Sequence, residues 1–154
     1  MPRPAKSRLI QAALAARERA VAPYSKFAVG AALAARDGGI FTGANVESAS
    51  YGLTCCAERV ALFKALTEGA RDFTLLAVAA RQTGGVLPCG ACRQLLAEYA
   101  PAARVMVVDS ARPRTIREFG VADLLPEAFV RFQGGEPPAP HLGYSRTAVT
   151  PMNT

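Results

Sequence analysis

The turn Asp37-Gly38-Gly39 constrains this chain more than any other local feature. It separates two apolar runs, Phe27 to Ala35 and Ile40 to Val46. Glycines after an aspartate supply the backbone freedom that a tight antiparallel reversal needs, so the two runs read as a β-hairpin. Ahead of it, Leu9, Ile10, Ala13, Leu14 and Val21 recur at helical spacing, and Pro23 stops that helix. After it, Cys56 to Glu68 repeats Val60, Ala61, Phe63, Lys64, Ala65 and Leu66, with Gly69 where a C-terminal helix cap belongs. Leu75 to Ala80 is a short buried strand. Pro88 opens a helix through about Tyr99, and Pro101 follows it. Val105 to Val108 is a second buried strand, and a last short helix lies near Leu124 to Phe129. Helix, hairpin, then helix–strand units predict a mixed sheet with helices packed on it, an α/β fold in three layers.

Composition narrows the function. With 51% hydrophobic and 19% charged residues in a chain of 154, a disordered chain, a coiled coil and a collagen-like repeat are excluded. The length suits one domain. We place that domain at 1–132 and a Pro/Gly-rich tail at 133–154, which carries Gly134, Gly135, Pro137, Pro138, Pro140, Gly143 and Pro151 and reads as extended or disordered. No apolar run approaches the roughly 18 residues of a membrane span. The basic, Ala-rich start, MPRPAKSRLIQAALAARERAVA, faintly suggests a transit peptide, but an amphipathic first helix explains it better. The net charge is +6, with clusters at Arg3, Lys6 and Arg8 and at Arg112, Arg114 and Arg117. Neither cluster is interleaved with aromatics, as a stacking surface for single strands requires, so both read as solvated surface and not as a nucleic-acid site.

The chemistry concentrates in the cysteines. Pro88-Cys89-Gly90-Ala91-Cys92 is a C-x-x-C at a helix start, where the helix N-terminus favours thiolates. Alone it fits a redox pair, half of a zinc ribbon, or two ligands of a three-ligand site. A ribbon needs a second C-x-x-C, and the other cysteines are the neighbours Cys55 and Cys56. A pair plus one of two neighbours makes three thiolates, the usual ligand number of a catalytic zinc with one open position. Glu58 stands two residues beyond Cys56, at the start of a helix, within reach of that position as a general acid/base. Three thiolates and Zn²⁺ sum to a negative charge. Arg59 is the candidate to offset it from behind the ligands, against the plain alternative of an exposed helix arginine. On an extended strand Asn45 and Glu47 point to one face and Val46 to the other, so two polar groups project together.

With Pro23-Tyr24-Ser25-Lys26-Phe27-Ala28-Val29-Gly30-Ala31, Gly43-Ala44-Asn45-Val46-Glu47, Cys56-Ala57-Glu58-Arg59 and Pro88-Cys89-Gly90-Ala91-Cys92-Arg93-Gln94 in order, the chain resembles the cytidine deaminases, in particular the small homotetrameric zinc-dependent type. The resemblance runs from about Pro23 to Phe129. It implies a three-layer α/β/α fold with a mixed five-stranded sheet, and one Zn²⁺ per chain held by Cys56, Cys89 and Cys92. Cys55 is left as a buried free thiol. Glu58 is implied as the proton shuttle in hydrolysis of cytidine and deoxycytidine to the uracil nucleosides and ammonia, a step of pyrimidine salvage. Asn45 and Glu47 match the pair that holds the sugar hydroxyls. Phe27 matches an aromatic against the pyrimidine, and the backbone N–H of Ala57 is implied to bind the base carbonyl. Phe129 resembles an aromatic added to a neighbouring subunit's site, and Tyr51 is expected in packing or a contact between subunits. The implied partners are a small nucleoside and three further copies of the chain, with no membrane and no nucleic acid. Unpaired thiols suit the cytoplasm.

Ser48, Ala28 and Leu87 depart from residues common in the family. The only histidine, His141, falls in the tail, and the core position occupied by histidine in deaminases acting on polynucleotides is Cys56. Three alternatives remain at this point. A blasticidin-type nucleoside deaminase shares C-A-E and P-C-G-x-C-R-Q but is disfavoured by Asn45 and Glu47. A polynucleotide cytosine deaminase is allowed by the basic charge. A non-catalytic zinc or redox protein leaves Glu58 without a role.

Overall fold

The computed structural model describes residues 3–131. The tail 133–154, with His141, and the domain end at residue 132 lie outside the described residues. The elements run α1 (Arg3–Arg17), β1 (Val29–Ala35), β2 (Ile40–Ala44), a 3₁₀ turn (Tyr51–Leu53), α2 (Ala57–Thr67), β3 (Phe73–Ala80), α3 (Gly90–Tyr99), β4 (Arg104–Asp109), β5 (Ile116–Gly120) and α4 (Val121–Leu124). The five strands form one sheet in the order β2-β1-β3-β4-β5. Only β3 and β4 are parallel, with Ala77 opposite Met106; the other three pairings are antiparallel. The sheet is therefore mixed.

Strand alternation divides the core into two layers. Leu9, Ile10 and Ala13 of α1 pack on Ala32, Ala34, Leu75, Ala77, Ala79, Met106 and Val108. On the other face, Ala57, Ala61, Leu62 and Ala65 of α2 and Leu96 of α3 pack on Ala31, Leu33, Leu76, Val78, Val105 and Val107. The three-layer reading holds. Each large side chain buried here contributes about 1.5–3 kcal/mol of transfer free energy. The alanine-rich strand β1 lets helices approach closely from both sides.

The hairpin, the two helix–strand units and the Gly69 cap stand where the sequence puts them; Gly69 has φ +88°. Several boundaries differ, each for a reason of its own. The first helix ends at Arg17, not at Pro23. Past it the backbone bonds shift to the tighter i→i−3 pattern, with Glu18 N–H to Ala15 O and Arg19 N–H to Ala16 O. Val21 is then drawn off the helix. It pairs with Val46, its N–H donating to Asn45 O at 2.9 Å and its carbonyl accepting from Glu47 N–H at 2.8 Å. The first strand begins at Val29 and not at Phe27. The Phe27 carbonyl and the Val29 N–H are taken by the Asn45 side chain, at 2.8 and 2.9 Å, instead of by a neighbouring strand.

Strand β5 is missing from the residue-by-residue reading, although the family resemblance implies a fifth strand. It is an exposed edge whose Arg117 and Glu118 read as surface. It is pinned by Glu118, which accepts from Lys6 Nζ at 2.6 Å and from Arg104 Nε at 3.1 Å. Arg117 lies over the Phe119 ring at 5.1 Å and donates to Gly84 O. The second basic cluster is thus partly structural. The last helix is Val121–Leu124 and not Leu124 to Phe129. Pro126 disfavours helical backbone in the residue before it, and Leu125 sits at φ −144°, ψ 76°. No helix among the described residues is long and apolar enough to cross a membrane.

Two glycines fix the spacing of helices on the sheet. A Cβ on Gly43 would lie 2.5 Å from both Ala57 O and Ala61 N in the first turns of α2. A Cβ on Gly30 would overlap Ala13 O and Arg17 N of α1 on the opposite face. Overpacking of a closed contact costs about 1–3 kcal/mol. Gly43→Ala and Gly30→Ala are each expected to lower the unfolding free energy by that amount, seen as a lower urea midpoint at unchanged slope; an unchanged midpoint would show that the helices have room to shift.

Candidate metal centre and cleft

Helices α2 and α3 begin on cysteines. Cys56 is the N-cap of α2 and Cys89 the N-cap of α3, both extended, and neither makes the side-chain cap bond that Ser or Asp supplies. The first-turn N–H groups at both ends are therefore left to other partners. Cys92, one turn into α3, is buried, and the Cys56, Cys89 and Cys92 sulfurs lie within 4.8 Å of one another. Cys56 Sγ and Cys89 Sγ are 3.5 Å apart. Thiolates at about 2.3 Å from a tetrahedral zinc stand roughly 3.8 Å from each other, so the spacing fits that ion with one position left over. Among the described residues no other group of three possible ligands gathers in this way.

Cys56 and Cys92 share protons unevenly. Hydrogen bonding from Cys92, then from Arg59 and Cys89, pulls the Cys56 thiol down to about 5 against the cost of burial. Cys92, the donor, is correspondingly pushed up. Arg59 Nη2 donates to Thr54 O at 3.0 Å and lies 3.8 Å from Cys56 Sγ, so the arginine stands behind the cluster and is not an exposed surface cation. Its Nε is buried without a hydrogen-bond partner. Cys55 is half-buried, not fully buried. Its backbone is paired both ways with Val46, at 2.9 and 3.0 Å, and its sulfur does not join the three.

Cys56 and Cys89 of the cluster line a cleft of about 250 Å³, to which Phe27, Asn45, Glu47, Ala57 and Glu58 also contribute. Glu58 is 5% exposed. Burial, and secondarily the Cys56 charge, raises its carboxyl to about 7. At the far end Glu47 Oε1 accepts from the Tyr24 and Ser25 N–H groups, at 3.0 and 3.1 Å. The Ser25 hydroxyl and N–H hold this carboxyl below its usual range. Asn45 spends one donor and one acceptor on Phe27 O and Val29 N–H, which leaves its amide one of each. Phe27 is half-buried at the cleft and is not a core residue.

Two candidates stand apart. Tyr51 lies in an adjoining hollow of about 230 Å³, its ring edge-on to Tyr24 at 6.4 Å, and is 78% exposed. Phe129 is also exposed, and Gln94 Nε2 donates to its carbonyl at 2.6 Å. Neither lines the cleft. Arg93, beside Gln94, donates to Pro88 O at 2.7 Å and to Leu124 O at 2.9 Å, tying the cysteine loop to the last helix. Sequence reasoning missed Ser25, Val29, Thr54, Val86 and Leu87 as parts of the cleft. Ser25 and Val29 carry a signal, their place within Pro23-Tyr24-Ser25-Lys26-Phe27-Ala28-Val29.

Comparison with known proteins accords with this arrangement. The model of the cytidine and deoxycytidylate deaminase zinc-binding region matches residues 4–108. A protein of Halalkalibacterium halodurans named cytidine deaminase is 53% identical over 121 residues, covering 79% of this chain and 91% of its own. The crystal structure of cytidine deaminase from Burkholderia pseudomallei superposes with a TM-score of 0.77 at 48% identity, over 84% of this chain and all of that one. A blasticidin-S deaminase of Bacillus cereus is 35% identical over 91 residues, 54% of this chain and 65% of its own.

Zinc titration of the metal-free protein separates the neighbouring thiols. Cys55→Ser is expected to bind about one zinc per chain, as the wild type does, whereas Cys56→Ala and Cys89→Ala should lose tight binding; full occupancy in either alanine variant contradicts the ligand set. Glu58 supplies a second test. Folded, it keeps its proton up to about 7, against an ordinary value of 4.5, so folding is weakened as pH rises across that window. The stability advantage of metal-free Glu58→Gln over metal-free wild type should grow from pH 4.5 to 7 in urea unfolding. A constant difference would place Glu58 in water.

Proposed function

The chain belongs to the cytidine and deoxycytidylate deaminases, and from that membership we propose that it hydrolyses cytidine, and deoxycytidine, to the uracil nucleoside and ammonia in pyrimidine salvage. The observation that carries this reading is a buried carboxyl, Glu58, raised to about 7 and set beside three clustered thiols in a small cleft. A group titrating near neutrality both accepts and returns a proton.

Cys56, Cys89 and Cys92 hold the zinc. When bound, the ion supplies the Lewis acidity that makes water nucleophilic at neutral pH. Glu58 takes a proton from the attacking water and delivers protons to pyrimidine N3 and to the departing amine, so that water and cytidine become uridine and ammonia. Arg59 offsets the excess negative charge of the thiolates. The Ala57 N–H, at the first position of α2, donates to the base carbonyl. Phe27 packs on the ring. Asn45 and Glu47 bind sugar hydroxyls with the donor and acceptors that the fold leaves them.

The cleft favours a nucleoside over a nucleotide. Its lining includes the charged carboxylate of Glu47, the carboxyl of Glu58, and no lysine or arginine. A phosphate would meet negative charge with nothing to pair it. The same argument weighs against a polynucleotide, and the stronger likeness to cytidine deaminases weighs against a blasticidin-type substrate. Val21, Tyr24, Val46, Tyr51 and Leu53 are large apolar residues left exposed near the cleft. They support assembly into a homotetramer, with Tyr51 and Phe129 at contacts between subunits. The free cysteines favour the cytoplasm.

Zinc-loaded protein should remove the cytidine absorbance band with equimolar ammonia, and should act on deoxycytidine far better than on deoxycytidylate. Glu58→Gln should keep its zinc and lose at least about 10²-fold in turnover. Near-normal rates in that variant would remove Glu58 from the chemistry.

A further inference from the structure

One wall of the cleft is apolar, and it ends at a cysteine of the metal centre. The segment 86–89 places Val86, Leu87 and Cys89 on the cleft. Pro88, between the last two, is fully buried. Val86 and Leu87 are themselves partly buried and pack against the core. The backbone of this wall is held by bonds that do not involve its side chains. Gly84 O accepts from Arg117 Nη1 at 3.1 Å, the Gly85 N–H donates to Gln82 O at 2.9 Å, and Pro88 O accepts from Arg93 Nε at 2.7 Å. There is no slack behind it: a Cβ on Gly85 would lie 3.0 Å from both Val107 C and Val108 N of β4. A wall tied at both ends and backed by a packed strand does not retreat from a bulkier ligand, because close-packed interiors yield little.

A cytosine base read into this cleft engages its polar atoms elsewhere. The carbonyl meets the Ala57 N–H, N3 meets Glu58, and the amino-bearing carbon C4 faces the thiols. The C5–C6 edge is what remains, and it carries only hydrogens bonded to carbon. N3 and C5 flank C4 on opposite sides. With N3 turned to Glu58 on α2, C5 lies away from α2, on the side of Cys89. The lining residue next to Cys89 there is Leu87. We propose that Leu87 determines specificity at C5: its side chain closes the cleft against the C5–C6 edge, so that cytosine enters and a C5-methylated base is disfavoured. The inference rests on the reading of this cleft as a nucleoside site. It gives Leu87 no part in proton transfer. One methyl group in a closed apolar pocket changes discrimination by about 10- to 200-fold.

The readout is kcat/KM for cytidine relative to 5-methylcytidine on zinc-loaded protein. Comparing that ratio between variants cancels the intrinsic reactivity of the methylated base. Wild-type protein should prefer cytidine by at least about tenfold. Leu87→Ala should narrow the preference by about tenfold, and Leu87→Val, with a shorter apolar side chain, should fall between the two. Calorimetric binding of 5-methyluridine against uridine, which involves no turnover, should shift in the same direction. 2′-O-methylcytidine carries its methyl group at the sugar end. Its ratio to cytidine should change by no more than about twofold in Leu87→Ala, as expected for changes that do not touch. If Leu87→Ala does not load zinc, Leu87→Val carries the comparison. A wild-type protein without preference, an unchanged ratio in the variants, or equal relief of both methylated substrates overturns the proposal and leaves the nucleoside reading intact. Wild-type protein that loads zinc but neither deaminates cytidine nor binds uridine overturns the nucleoside reading, and the proposal with it.

Discussion

Two helix N-termini aimed at one point do not coexist by themselves. Each carries the equivalent of about half a positive charge and a turn of unbonded N–H groups. In this chain α2 and α3 meet in that way, with three sulfurs gathered at their origins and the Cys56 thiol pulled toward the thiolate. The N-cap positions hold cysteine, which forfeits the roughly 1 kcal/mol that a Ser or Asp cap contributes. Local helix stability is given up so that thiolates stand where the dipoles favour them. Arg59 adds positive charge from behind, and Glu58 is buried beside the sulfurs with its proton retained. The electrostatics of the site follow from the helix starts.

Holding the two starts in register falls to the sheet. Helix α2 is seated on β2 through Gly43, where there is no space for a single methyl group. Helix α3 is approached through the parallel pair β3 and β4, and its entry loop is clamped by the Arg93 bond to Pro88. The thiols are thus located by backbone packing and by hydrogen bonds outside the ligand set. A metal ion arriving there meets a site whose spacing is already near the tetrahedral value, and little ordering remains to be done.

Much of this was legible in the residues. The hairpin followed from Asp37-Gly38-Gly39, the close of α2 from Gly69, and the three-thiol site from C-x-x-C together with Cys56 and Glu58. What escaped has a common physical form. Val21 was assigned by periodicity and Phe27 as the start of an apolar run, and each was claimed by partners distant in sequence: the Asn45 carbonyl and the Glu47 N–H for Val21, the Asn45 amide for Phe27. Strand β5 escaped because an edge strand can be polar on most of its positions. Ser25 escaped because a hydroxyl that accepts from a backbone N–H in a turn leaves no pattern in one dimension. Arg59 could be weighed but not decided, since its distance to Cys56 depends on the rotamer.

The Asn45 amide and the Glu47 carboxylate each serve the fold before they serve a ligand. Asn45 completes the start of β1, and Glu47 closes the turn at Tyr24 and Ser25. The atoms available for recognition are the remainder. In the nucleoside reading proposed above, affinity for a sugar and integrity of the scaffold would be written in the same side chains, and a substitution at either position would disturb both. New specificity has to arise instead at the walls formed by Val86 and Leu87, where no backbone bond depends on the side chain.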